Sequence, residues 1–123
     1  MNIQKIPESI AYDYFNCWNN QNLEGLRNIF TDDVSLCDWE LNELGIENVL
    51  KANQNIFNSV DSIHANVTSL MCNNNKVVAE LIIDTEGKDE EGGVLLASFE
   101  VVDVIEFNNS KNKIKSIKAY RRF

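Results

Sequence analysis

Chemistry in this chain would fall to an acid placed where an acid is costly. In the stretch VLLASFEVVDVIEF, one alternation phase reads Leu95, Ala97, Phe99, Val101, Asp103, Ile105, Phe107. Successive side chains along a strand point to opposite faces, so Asp103 shares its face with apolar groups only. The other phase carries Ser98, Glu100 and Glu106 and is the wetter one. Burial disfavours the charged form, so the pKa of Asp103 is expected above about 4. A neutral carboxylic acid can donate a hydrogen bond to a developing oxyanion, which an ionised one cannot. Asp38 repeats the anomaly in IFTDDVSLCDWE, in phase with Val34 and Leu36 but beside a loop and therefore partly wet. Two acids in unlike surroundings suit a division of acid and base labour. Plainer readings stand beside these. Asp103 pairs with a base of the last strand such as Arg121, Asp38 ends a strand on the surface, and His64, the lone histidine, sits on the polar phase of its strand.

These side chains need elements to hold them. Pro7 followed by Glu8 signals a helix start. The spacing of Ile10, Ala11, Tyr14, Phe15 and Trp18 then predicts one broad helical stripe, with Tyr14 at its centre either as a working hydroxyl or as a core tyrosine. Asn22 can cap a second, shorter helix whose apolar face is Leu23, Leu26, Ile29 and Phe30. Thr31-Asp32-Asp33 is read as the turn into the first strand, and Trp39 to Leu44 as a loop or short irregular strand. Gly45 opens a third helix, in which Asn53 takes a slot where an apolar residue is expected, so it faces the core or a cavity. After Asp61 the pattern is strands. Ser62 to Cys72 places Ile63, Ala65, Val67 and Met71 on one face, and Lys76 to Glu86 does the same for Val77, Ala79, Leu81 and Ile83. Strands joined by short turns make an antiparallel meander, and helices followed by such a sheet make an α+β fold with a pocket between the layers.

Composition narrows the functions. The chain of 123 residues, 44% apolar, suits one domain, 1–123, with an ordinary core. A net charge of −8 argues against nucleic acid and anionic membranes as partners. The C-terminal run of Lys111, Lys113, Lys115, Lys118, Arg121 and Arg122 is read as the solvated part of a last strand. Cys17, Cys37 and Cys72 form no C-x-x-C pattern, so they are expected to be buried free thiols, with no metal site and no cofactor. The opening MNIQKIPESIAYDYF lacks the apolar core of a signal peptide, and no run approaches a membrane span, so a cytoplasmic location is expected.

The order helix, NLEGLRNIFTDDV, strand, helix, then strands ending in VVDVIEF and KIKSIKAY resembles the nuclear-transport-factor-2-like superfamily, closest to ketosteroid isomerases and SnoaL-like polyketide cyclases. That resemblance implies a cone-shaped, cystatin-like fold of three N-terminal helices on a curved antiparallel sheet. It implies a cofactor-free proton transfer on a small apolar carbonyl compound, with Asp38 as base and Tyr14 and protonated Asp103 as oxyanion donors. Asn53, Trp39, Trp18 and Phe99 would line the substrate pocket, and a homodimer is expected by the same analogy. Where those isomerases support the helical tyrosine with further tyrosines, this sequence has Phe30 and Asn53; Trp39 replaces a proline, and the loop from Asp38 to Gly45 is shorter. A non-catalytic ligand-binding or protein-interaction module of the same fold is the alternative. A hydratase or epoxide hydrolase is a third reading, without the Asp–Arg–Asp spacing that would single it out.

Overall fold

The first helix begins at a proline because Pro7 has no N–H to leave unpaired there. In the computed structural model, which describes residues 5–123, α1 spans Pro7–Asn19 and buries Ile10, Ala11, Tyr14, Phe15 and Trp18. The stripe expected from the sequence is the buried face. Asn22 caps α2 (Leu23–Ile29), its side-chain oxygen accepting from the Gly25 N–H at 3.0 Å. The chain then passes from helix to strand with no intervening turn. β1 runs Phe30–Cys37, so Thr31, Asp32 and Asp33 lie in the strand and not in a turn before it. Phe30, almost fully buried, ends the helical face and starts the strand face with one side chain.

β2 is only Asn42–Leu44, folded back antiparallel on the end of β1. Gly45, at φ 94°, makes a bend that disfavours any side chain and caps α3 (Ile46–Asn58). The third helix therefore follows two strands and is not strictly N-terminal. The remaining strands are β3 (Ser62–Asn73), β4 (Lys76–Lys88), β5 (Val94–Phe107) and β6 (Ile114–Arg121).

All six strands form one sheet in the order β2-β1-β6-β5-β4-β3. The pairs β3·β4, β4·β5 and β5·β6 are the expected antiparallel meander. The sheet is nonetheless mixed, because β1 lies parallel to β6. The fold class is α+β as expected. Helices cover one face: Val77, Ala79, Leu81 and Ile83 of β4 are buried, while Glu80, Ile82 and Asp84 between them are exposed. α1 is tied to the sheet edge by Asn19, whose amide bonds both the N–H and the carbonyl of Ala65, at 2.8 and 2.9 Å.

Two expectations about faces fail. The β3·β4 register shifts between Val67 and Ser69, so Thr68 is an extra residue whose hydroxyl meets the Glu80 carbonyl at 3.1 Å. One inserted residue inverts every later side chain. Met71 is thereby turned outward, 60% exposed, and Leu70 turns in. The cysteines are free, but Cys37 and Cys72 are exposed and Cys17 is half-buried. Cys37 falls on the outward phase of β1, opposite to buried Leu36.

Candidate functional site

A cavity of about 740 Å³ opens between the helices and the sheet. Its walls are mainly apolar: Phe15 from α1, Leu36 from β1, Ile56 from α3, Leu81 and Ile83 from β4, and Val101 from β5. The structure brings all seven residues singled out from the sequence to this one space: Tyr14, Trp18, Asp38, Trp39, Asn53, Phe99 and Asp103. His64 does not join them; it is exposed, opposite Asp84 on β4.

Asp103 sits at the dry side. Its cross-strand neighbours are Ala79 on β4 and Ala119 on β6, two small residues that leave its carboxyl free to reach into the space. It is 6% exposed, and among the described residues it has neither a hydrogen bond nor an ion pair. Burial first, and the nearby charge of Asp38 second, push its pKa up to about 7. The plainer alternative, a pairing with Arg121, does not occur.

Tyr14 stands across from it on α1. Its ring packs edge-on against Phe15 at 5.0 Å and tilted against Phe30 at 6.0 Å. No hydrogen bond among the described residues takes up its hydroxyl, and Tyr14 is 5% exposed. Burial, with the Asp103 carboxyl adding to it, raises its pKa well above the ordinary 10, so the hydroxyl keeps its proton and remains a donor.

Asp38 lies one residue beyond the end of β1, half-buried at the mouth. Its Oδ1 accepts from the backbone N–H groups of Glu40 and Leu41 at 2.7 and 2.6 Å. Its own N–H donates to the Leu41 carbonyl at 2.9 Å. This turn fixes the carboxyl's orientation and occupies one oxygen, leaving the other for the cavity. So Asp38 ends its strand and also faces the space within.

Asn53 is 3% exposed and largely spoken for. Its carbonyl accepts from the Trp18 indole N–H at 3.0 Å, and its amide donates to the Val49 carbonyl at 2.9 Å. It locks α3 to α1 and keeps one amide hydrogen for the cavity. Trp18 packs edge-on to Phe57 at 5.3 Å. At the mouth, Trp39 and Phe99 meet edge-to-face at 6.2 Å.

Sequence reasoning missed one member. Arg121, read as part of the solvated basic run or else as an ion-pair partner of Asp103, was given no ligand-facing role, yet it lines the cavity, its guanidinium 4.2 Å from the Phe99 ring centre and 5.9 Å from that of Trp39. A signal was available: Arg121 shares a phase with Ile117 and Ala119, the side of β6 that meets the cavity. Among the described residues, no group of three or more His, Cys, Asp or Glu side chains could hold a metal ion, and no helix is long and apolar enough to cross a membrane.

Comparison with solved structures gives many neighbours of this fold. A protein from Shewanella denitrificans described as a SnoaL-like polyketide cyclase superposes with a TM-score of 0.84 at 13% identity, over 94% of this chain and 90% of that one. A cystatin-fold protein from Novosphingobium aromaticivorans gives 0.78 at 18%, over 94% and 97%. A protein with a ketosteroid isomerase-like fold from Catenulispora acidiphila, in complex with trimethylamine, gives 0.76 at 17%, over 94% and 86%. No curated protein matches the sequence. The family model for the SnoaL-like domain matches residues 11–117, nearly the whole of the cavity-bearing fold, and the chain belongs to that family within the nuclear-transport-factor-2-like superfamily.

Proposed function

We propose that this cavity moves a proton on a small, mainly apolar carbonyl compound without a cofactor. The supporting observation is the pair of unpartnered donors, Tyr14 and Asp103, both nearly buried and both facing one cavity with a third polar group, Asp38, at its mouth. A carbonyl oxygen placed between Tyr14 and protonated Asp103 accepts two hydrogen bonds. Asp38 then takes a proton from the adjacent carbon, and the electron pair of that C–H bond becomes the enolate, with its charge on the oxygen. Both donors strengthen their bonds as that charge grows, and both lie at the buried side of the cavity, where such bonds are worth more than in water. Asp38 returns the proton to the same carbon or to a conjugated one.

The test is deuterium exchange at the α carbon across a panel of aryl and alicyclic ketones. Removing a positioned general base costs about 10²–10⁴-fold in rate, so Asp38→Asn is expected to exchange that much more slowly than wild type. Equal, slow exchange by the two proteins would remove the enzymatic reading.

A second reading is a binding module without turnover, and one observation favours it. Phe30 and Asn53 occupy the places where the isomerases carry supporting tyrosines; Phe30 has no hydroxyl, and Asn53 is engaged by Trp18 and Val49. The Tyr14 hydroxyl is therefore aimed by packing alone. A self-association surface on the far side of the sheet belongs to either reading. Val102 and Tyr120 are cross-strand partners there, and Tyr120 is 59% exposed.

A further inference from the structure

Arg121 has an arrangement that neither stability nor proton transfer explains. Its guanidinium is held over Phe99 at 4.2 Å, Phe123 at 4.7 Å and Trp39 at 5.9 Å. Its Nε is fully buried and has no hydrogen-bond partner. Among the described residues no carboxylate forms an ion pair with it, although Arg122 next to it pairs with Glu100 at 3.0 Å. A buried donor left unbonded is destabilising, and rings attract the cation's face without satisfying the N–H groups at its edge. The rings hold the guanidinium in place and Nε is sealed among them, so the two Nη atoms, unbonded among the described residues and not sealed as Nε is, present N–H groups side by side. A carboxylate matches this fork with two parallel bonds.

The sheet register gives the spacing. Val101 is the partner of Arg121 and Asp103 the partner of Ala119, so the rows of Arg121 and Asp103 lie two residues apart on one face. Two residues of extended strand are about 7 Å. A benzene ring, or a chain of a few carbons, spans that between a carbonyl and a carboxylate.

We propose that Arg121 is the anion anchor of the cavity, and that the ligand is a keto acid whose carboxylate meets Arg121 while its carbonyl reaches Asp103 and Tyr14. This deepens the reading above: it rests on the cavity being a ligand site, but not on catalysis there. Lys51 also lines the space, but it is exposed on α3 and nothing fixes its direction.

The test compares 4-acetylbenzoate with its neutral analogue 4-acetylbenzamide, read by quenching of tryptophan fluorescence, since Trp39 and Trp18 both border the cavity. Wild type is expected to bind the carboxylate at least about tenfold more tightly, the value of one charge-assisted hydrogen bond. Arg121→Met keeps an unbranched stem on Phe99 and is expected to lose that preference while still binding the amide. Arg121→Lys, with charge but no fork, falls between. The anchor is overturned if wild type binds the two probes equally, binds neither, or keeps its preference as Arg121→Met. Failure of the two readings is distinguishable: ketone exchange without carboxylate preference removes the anchor alone, and preference without exchange removes catalysis alone.

Discussion

Two ends of the same sheet face behave as different materials. At one end Ile105, Phe107, Ile114 and Val77 are wholly inaccessible to solvent, sealed under the helices. At the other, Leu95 is 53% exposed although it shares its phase with Ile105 and Phe107. β5 runs through both: its first five residues are exposed, and burial sets in only from Phe99 onward. The comparison teaches that alternation decides which side a residue faces, and the helices decide whether anything covers it. Asp103 sits between these regimes, dry enough to hold its proton near neutrality yet open to a cavity.

The comparison can be broken or sharpened by substitution. Phe107→Ala at the sealed end is expected to cost about 3–5 kcal/mol, measured by urea unfolding, because the cavity it leaves cannot refill. A loss under about 1 kcal/mol would mean that end is not close-packed. At the boundary, Asp103→Asn is expected to stabilise the protein in a pH-dependent way. The acid has a pKa of about 7 when folded, against about 4 unfolded. Below pH 4 both states hold the proton; as pH rises the unfolded chain releases it first, stability falls, and the decline levels off above pH 7. The gain from Asp103→Asn is therefore expected to be small at low pH, to widen to a few kcal/mol by about pH 7 and then to stay constant. A pH-independent difference would place the wild-type carboxyl in water. At the open end, Leu95→Ser is expected to stay within about 0.5 kcal/mol of wild type in the same unfolding assay.

Much of this was legible in the sequence. Ile10, Ala11, Tyr14, Phe15 and Trp18 announce a helical stripe, and the alternation around Val77–Ile83 announces a half-covered strand. The convergence of Tyr14, Asp38 and Asp103 on one space came from the resemblance, since periodicity gives each residue its face but not its distance from another element. The failures share a physical cause. Met71 was misplaced because a one-residue bulge at Thr68 has no signature in residue type. Cys37 and Cys72 look apolar in sequence, yet Cys37 lands on the outward phase of β1 and Cys72, though on the inward phase of β3, lies exposed near the end of that strand. Arg121 was hidden because charge suggests solvent, whereas a guanidinium can lie flat on aromatic rings.

Asn19 has a bearing on how these molecules tolerate crowding. Its amide occupies the free rim of β3 at Ala65, supplying the donor and acceptor that a neighbouring strand would otherwise offer. Three residues further on, the kink at Thr68 bends the same rim, and the opposite rim, β2, is a mere three residues long. Neither border of the sheet presents a long straight template, so growth into fibrils by edge-to-edge addition meets a plug on one side and too little backbone on the other.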